Sequence, residues 1–525
     1  MQFRSAQLKT MFAPLKWVLV FAAVLALAAF LFTYQLGQAP ICGLNEAVEG
    51  LAVQRIVERG KLLFPVEQGA QPMYKPPLFH WTAAALDKLF GYQHVTEFNL
   101  RLTSAVYAIA GIALTMAFTT HKLGPQWGAL SGLVLLASYQ YVSQARYGRV
   151  DMTLTFFETL ALFLFVWTLP SPFLSQQADS GKHEENDSTT SRFFRTAARW
   201  LLGGALGCAV LAKGPVGAFL PLLAIALWTL VGKRSRLVLA TVTVGPVALF
   251  AVVALSWYAA CFLGRRYGVL NLQLGAENFG RFFGTLGRMP SNYYLVPLLL
   301  NSGPLSVLAA IAAVASLKSD PGAKVSDNDR AARGLETDEI AQLLSLFWFA
   351  TVVFFSLAAY KRKAYLLPLW PTNAFLICRW LQAQTREPWG SWITRALTFM
   401  CALLVGFNFF FVPRHELHKC ADSMSFKPAA KLINRVVGHT SPLFIKLNRG
   451  APVLAFYLDR PVIELTEPLA QAPEGYVVTS SNIWHEEVVA ARASRPDVGF
   501  RQMMTIPGTP PLVLLRRESN GAKGF

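Results

Sequence analysis

The chain has 525 residues, 54% hydrophobic and 15% charged, with a mean hydropathy of +0.38. Soluble domains carry about 25% charged residues, so this balance excludes an ordinary soluble protein and points to lipid. Its 48 Lys+Arg against 30 Asp+Glu give a net charge of +18; the basic residues sit at the ends of apolar stretches, which implies membrane topology and anionic lipid as partners and no nucleic acid.

A run of about 20 apolar residues crosses the hydrocarbon as a helix. Such runs lie at 17–36, 99–120, 126–145, 152–170, 199–213, 215–232, 237–260, 293–317, 340–358, 365–381 and 394–413, which makes eleven spans within a range of ten to thirteen. Arg4, Lys9 and Lys16 before the first span set the N-terminus inside. That span lacks a small-residue cleavage site and is too long for a signal-peptide core, so it should remain as an anchor. Alternation then puts 171–198, 233–236, 318–339 and 382–393 inside, the first and third as polar loops. Residues 37–98, the stretch around 146–151, 261–292, 359–364 and everything after 413 fall outside.

The six cysteines form no CxxC or Cys/His cluster, so no metal site is expected from them. Cys208, Cys378 and Cys401 lie in apolar runs and read as small core residues. Cys42 and Cys420 fall in loops on the same side, which leaves a disulfide open.

The outer face is unexpectedly basic, against the positive-inside rule, and a phosphate-bearing ligand there is the simplest reason. Four pieces on that face could carry chemistry. Asn45-Glu46-Ala47-Val48-Glu49 opens an amphipathic stretch too polar to span, expected as an interfacial helix. Lys75 precedes Pro76-Pro77, which suit the first turn of a second such helix, where a cation and a helix N-terminus could face one anion. Asp151 opens a span just after Arg146 and Arg149, and could be an N-cap or a functional acid. The last group comprises Lys213-Gly214-Pro215, Arg281-Phe282 and Lys361 through Pro368, the latter containing Tyr365. Snorkelling explains any one of these cations and explains the whole set less well.

In this order the segments resemble bacterial GT-C glycosyltransferases of the protein-mannosyltransferase and aminoarabinose-transferase (ArnT-like) family. The likeness runs through most of residues 15–380: Asn45-Glu46, Lys75-Pro76-Pro77-Leu78, Asp151, Lys213-Gly214-Pro215, Arg281-Phe282, and Lys361 through Pro368. The resemblance implies an α-helical multi-pass membrane protein of the GT-C type, residues 1–413, with a small C-terminal α/β periplasmic domain, residues 414–525. It implies a donor sugar on undecaprenyl or a similar polyprenyl phosphate, transferred with inversion on the periplasmic face of a bacterial inner membrane. Lipid A or another envelope glycolipid is the expected acceptor, and protein the alternative. Asp151 or Glu46 would serve as the catalytic carboxylate. Lys75, Lys213, Arg281 and Lys361 would hold the donor phosphate, with Asn45, Arg146, Arg149 and Tyr365 nearby. No cofactor is required by the pattern, and a divalent metal stays open. The chain departs from the family at Asn45, where Asp is usual. It departs from the aminoarabinose enzymes at Val48, where they have Arg, and at Tyr74, where they have Glu.

Two other readings are open to such a chain. A transporter or flippase should show inverted repeats and polar or broken helices at the membrane midplane, whereas here the ionisable residues gather at one face. A non-catalytic envelope protein would rest on Asn45 alone.

Overall fold

The computed structural model describes residues 2–63, 75–169, 189–285, 287–300, 303–318, 335–385, 387–421, 426–438, 441–448, 450–458, 460–494, 499–508 and 511–518. Tyr74 and most of the two polar loops expected at 171–198 and 318–339 lie outside the described residues.

The helices run in chain order as α1 (Gln2–Thr33), α2 (Leu44–Arg59), α3 (Leu78–Phe90), α4 (Glu97–Leu123), α5 (Pro125–Ala137), α6 (Tyr139–Ala145) and α7 (Val150–Thr168). Then come α8 (Thr189–Lys213), α9 (Val216–Val231), α10 (Ser235–Thr241), α11 (Val244–Leu263), α12 (Tyr267–Leu270), a π-helical segment Asn271–Gly280 and α13 (Arg281–Phe283). A 3-10 turn Ser291–Tyr294 leads into α14 (Leu295–Leu300), α15 (Pro304–Lys318), α16 (Leu335–Leu357), α17 (Leu369–Gln384) and α18 (Gly390–Ala421). Among the described residues, six helices are long and apolar enough to cross a membrane: Leu15–Thr33 of α1, α4, α7, α11, Thr337–Leu357 of α16 and Gly390–Cys420 of α18. Two shorter apolar helices, α9 and α15, lie among them. Their shared core gathers large side chains such as Phe118, Phe163, Phe375 and Trp228.

Several expected spans are shaped differently. The span at 126–145 divides into α5 and α6 at Ser138, whose extended backbone lets its hydroxyl accept from the Tyr141 amide. The span at 237–260 divides at extended Val242 and Thr243, and α11 restarts with Pro246 in its first turn. The span at 293–317 is interrupted before Pro304, where Gly303 takes φ +54°. The inside loop at 171–198 is shorter than expected, because α8 already begins at Thr189.

In the first loop α2 and α3 form where the pattern places them. Gly60 ends α2 in the left-handed region, and Pro77 caps α3. The helix α18 runs through 413 to Ala421 with Pro413 inside it. Beyond it lie α19 (Phe426–Val436), β1 (Leu443–Lys446), α20 (Ala451–Leu458), β2 (Ile463–Glu464), β3 (Gly475–Ser480), α21 (Ser481–Ser494), β4 (Gly499–Ile506) and β5 (Leu512–Glu518). The strands make one sheet in the order β2-β1-β3-β5-β4. β1 is parallel to β2 and β3, and β5 is antiparallel to β3 and β4.

This C-terminal part is built onto the first loop. Ala47 and Val53 of α2 share a core with Leu454, Phe456 and Leu514. Gly50 permits the approach, since a Cβ there would stand 2.7 Å from Phe456. The Ile41 amide donates to the Tyr457 hydroxyl at 2.6 Å, and Cys42 is bonded to Cys420. The disulfide left open by the sequence is therefore formed.

Arg101, buried in the first turns of α4, joins these layers. It donates to both Glu46 oxygens at 2.8 and 3.1 Å and to the carbonyls of Leu36 and Ala39 at 3.0 and 2.6 Å. Removing one partner of a buried ion pair costs about 3–5 kcal/mol, because the other charge stays buried. Arg101→Met should therefore lower the thermal unfolding midpoint of the detergent-solubilised protein sharply. Arg101→Met with Glu46→Leu should recover part of the loss.

Candidate active site

Five chain segments bring their polar ends to one place. Lys75 stands immediately before the two prolines that open α3. Asp151 sits in the first turn of α7, and Lys213 is the last residue of α8. Arg281 follows the π-helical segment, and Tyr365 lies in the 3-10 turn Lys363–Leu366. The turn after Lys213 depends on Gly214, whose φ of +103° disfavours other residues and where a Cβ would lie 2.5 Å from the Gln273 amide nitrogen. Backbone bonds fix the Arg281 side: Tyr360 donates to the Arg281 carbonyl at 3.0 Å and Ala359 to that of Phe282 at 2.9 Å.

The side chains form a continuous polar chain. Lys213 Nζ donates to Asp151 Oδ1 at 2.6 Å and lies 4.7 Å from the centre of the Tyr365 ring. Arg149 adds a second ion pair to Asp151 at 3.3 Å. Arg281 donates to the Tyr365 hydroxyl at 3.0 Å and to Glu277 Oε1 at 2.7 Å, while Glu277 Oε2 accepts from Lys75. Burial pulls the Lys75 ammonium down to about 8, although Glu277 beside it pushes back. Burial raises the Glu277 carboxyl, but Lys75 and Arg281 outweigh this and hold it below the ordinary glutamate range.

Lys75, Lys213, Arg281 and Tyr365 all line a cavity of about 370 Å³ whose remaining walls are mainly apolar, among them Phe219, Phe282 and Phe354. Glu158, about two turns along α7 from Asp151, also lines it, fully buried and, among the described residues, with no hydrogen-bond partner for either carboxylate oxygen.

Other candidates are placed elsewhere. Glu46 is engaged by Arg101 and by the Gly148 amide at 3.0 Å, and it does not line the cavity. Asn45 accepts from Arg362 at 3.2 Å. Arg146, expected beside Asp151, turns away to Glu416 at 3.0 Å and to the Leu31, Phe32 and Tyr34 carbonyls. Lys361 is buried against the Ala358 and Met289 carbonyls, at the end of α16, outside the cavity lining. Glu277 and Arg101 were not singled out from the sequence. The signal for Glu277 was its spacing of four from Arg281, the helical ion-pair interval. Arg101 carried none beyond a charge at the start of an apolar run. Among the described residues, no group of three or more His, Cys, Asp or Glu side chains could hold a metal ion.

Known proteins resemble this chain in sequence and in fold. Residues 68–265 match the family described as dolichyl-phosphate-mannose-protein mannosyltransferase. The undecaprenyl phosphate-alpha-4-amino-4-deoxy-L-arabinose arabinosyl transferase of Enterobacter sp. (strain 638) is 25% identical over 371 residues, 67% of this chain and 58% of that protein. ArnT from Cupriavidus metallidurans bound to undecaprenyl phosphate superposes with TM-score 0.70 at 18% identity, covering 97% of this chain and 98% of the other. The oligosaccharyltransferase AglB from Archaeoglobus fulgidus, in complex with an inhibitory peptide and a dolichol phosphate, follows at TM-score 0.56 and 11% identity, covering 98% and 75%. The matched family segment and the arabinosyl transferase relative make this chain similar to the ArnT-like glycosyltransferases, and the whole-chain superposition shows that it shares the GT-C fold.

Proposed function

We propose that this protein transfers a sugar from a polyprenyl-phosphate donor to an acceptor in the bacterial envelope, on the outer face of the inner membrane. The observation that carries the reading is the convergence of Lys75, Lys213 and Arg281, with Tyr365, on a mainly apolar cavity. A prenyl chain suits apolar walls, and a phosphate suits three cations held in place beforehand. The ligands bound in the two solved structures, undecaprenyl phosphate and dolichol phosphate, are of the same chemical kind. A Cys42–Cys420 bond suits an oxidising compartment, which supports placing the first loop and the C-terminal part outside.

In the reaction the acceptor oxygen bonds to the anomeric carbon from the face opposite the phosphate, and the carbon–phosphate-oxygen bond breaks. The bonding pair leaves with the polyprenyl phosphate, whose growing negative charge falls on the three cations. Asp151 acts through Lys213, which it holds toward the cavity. Glu46 supports the first loop through Arg101. Asn45 has an amide oxygen and cannot take a proton as a carboxylate would, whereas an acceptor phosphate is already anionic and needs no base. That favours a phosphate-bearing glycolipid such as lipid A over a protein hydroxyl as the acceptor.

Lys75→Ala should reduce transfer about ten- to hundredfold, the worth of one charge-assisted contact. Normal donor binding and turnover in Lys75→Ala and Arg281→Ala would remove the phosphate site. Lys75 is charged below about 8 and neutral above it, so kcat/KM should fall as pH rises through that value. Lys75→Arg, always protonated, should flatten that limb even if its rate is lower. Asp151→Asn should abolish most transfer by releasing Lys213, and full activity in a normally folded Asp151→Asn would contradict the role given to it. Mass spectrometry of lipid A and surface glycans from a deletion strain would identify sugar and acceptor. Reporter fusions near 85 and 470 should both read out as external.

A further inference from the structure

Glu277 stands where the donor reading needs an anion to stand. Its two carboxylate oxygens divide between Lys75 and Arg281, two of the three cations that line the cavity, and Glu277 lines the same cavity. The pairing is close and sheltered: the three side chains are each about nine-tenths buried. A carboxylate is not needed there to satisfy Arg281 alone, since the guanidinium also donates to Tyr365 and lies 5.3 Å from the centre of the Tyr360 ring. Nor is it fixed by a regular helix. It sits in the π-helical segment Asn271–Gly280, a ten-residue stretch of a kind that usually lasts a single turn and concentrates at functional sites. Among the described residues, α12 and this segment bury few side chains, so the element carrying Glu277 is lightly anchored.

We infer that Glu277 is a built-in competitor for the donor phosphate, occupying the Lys75–Arg281 clamp and exchanging places with the phosphate in each catalytic cycle. This rests on the reading of Lys75 and Arg281 as phosphate ligands. Its consequence is directional. Three buried cations around a doubly charged leaving phosphate would hold the product too firmly; a tethered carboxylate that can retake two of them assists its departure. Glu277 is thus a specificity and release device, set between the two cations without contacting the sugar.

The test uses the full-length protein in detergent with farnesyl phosphate as the probe, at pH 6.5, where Lys75 keeps its proton. Glu277→Gln removes the competing charge and keeps the shape, so it should tighten binding about tenfold or more, the worth of one charge-assisted contact. With donor, the same variant should show a lower KM and a lower kcat, because product leaves slowly. Glu277→Asp, one methylene shorter, cannot span both cations and should tighten binding several-fold, which also reads the effect should Glu277→Gln fail to fold. Unchanged or weaker binding in whichever of these folds, with Lys75→Ala and Arg281→Ala still binding poorly, overturns the competitor role and makes Glu277 a brace for the two cations. Farnesyl phosphate bound normally by Lys75→Ala and Arg281→Ala would instead overturn the phosphate-site reading on which the inference rests.

Discussion

The structure hangs on one buried charge that has to be answered from several directions. Arg101, enclosed at the start of α4, cannot be left unpaired at a membrane boundary without a cost of several kcal/mol. Its answer comes from Glu46 on α2 and from the carbonyls between α1 and α2. Glu46 in turn receives the Gly148 amide, just ahead of Asp151. The first loop, the first two long spans and the start of α7 are therefore set relative to one another by a single guanidinium, and the position of Asp151 follows from it.

From Asp151 the logic is one of alternating sign. Asp151 is followed by Lys213 and then the Tyr365 ring, and Tyr365 by Arg281, Glu277 and Lys75. Asp151 with Lys213, and Glu277 with Lys75, pair across different segments, so an arrangement rich in cations can be buried beside a mainly apolar cavity. The same alternation makes the site responsive, since an incoming anion must displace or share an existing partner. Similarity to the solved GT-C structures gives the architecture.

What could be read from the sequence followed from local rules. The helices α2 and α3 of the first loop were legible because apolar residues recur at helical spacing in one and Pro76-Pro77 open the other. Lys75, Lys213, Arg281 and Tyr365 were legible as cations and a phenol at the ends of apolar runs, and they meet at one cavity. Long-range partners were not legible. Arg146 was read with Asp151 because five positions separate them, yet its charge is answered by Glu416, 270 positions away. Lys361 looked like its basic neighbours, but its ammonium is taken up by carbonyls at a helix end. The breaks at Ser138 and Val242 were hidden because hydropathy averages over a span and does not register an extended residue within it. β4 carries no strand signal of its own in the sequence, because its burial hardly alternates and most of it is exposed at the sheet edge.

The bond between Cys42 and Cys420 joins positions 378 residues apart and encloses nearly all the long apolar helices. It turns the membrane part of the molecule into a covalent ring whose clasp lies beside α2 and the C-terminal sheet. Such a ring cannot close during synthesis until the last long helix has emerged and crossed, because domains form N-terminal first. Until then Cys42 waits as a thiol within reach of any oxidant on its side of the membrane. Correct pairing thus becomes a record that every intervening helix has been threaded with the proper parity, for an odd error would leave the two sulfurs on opposite sides.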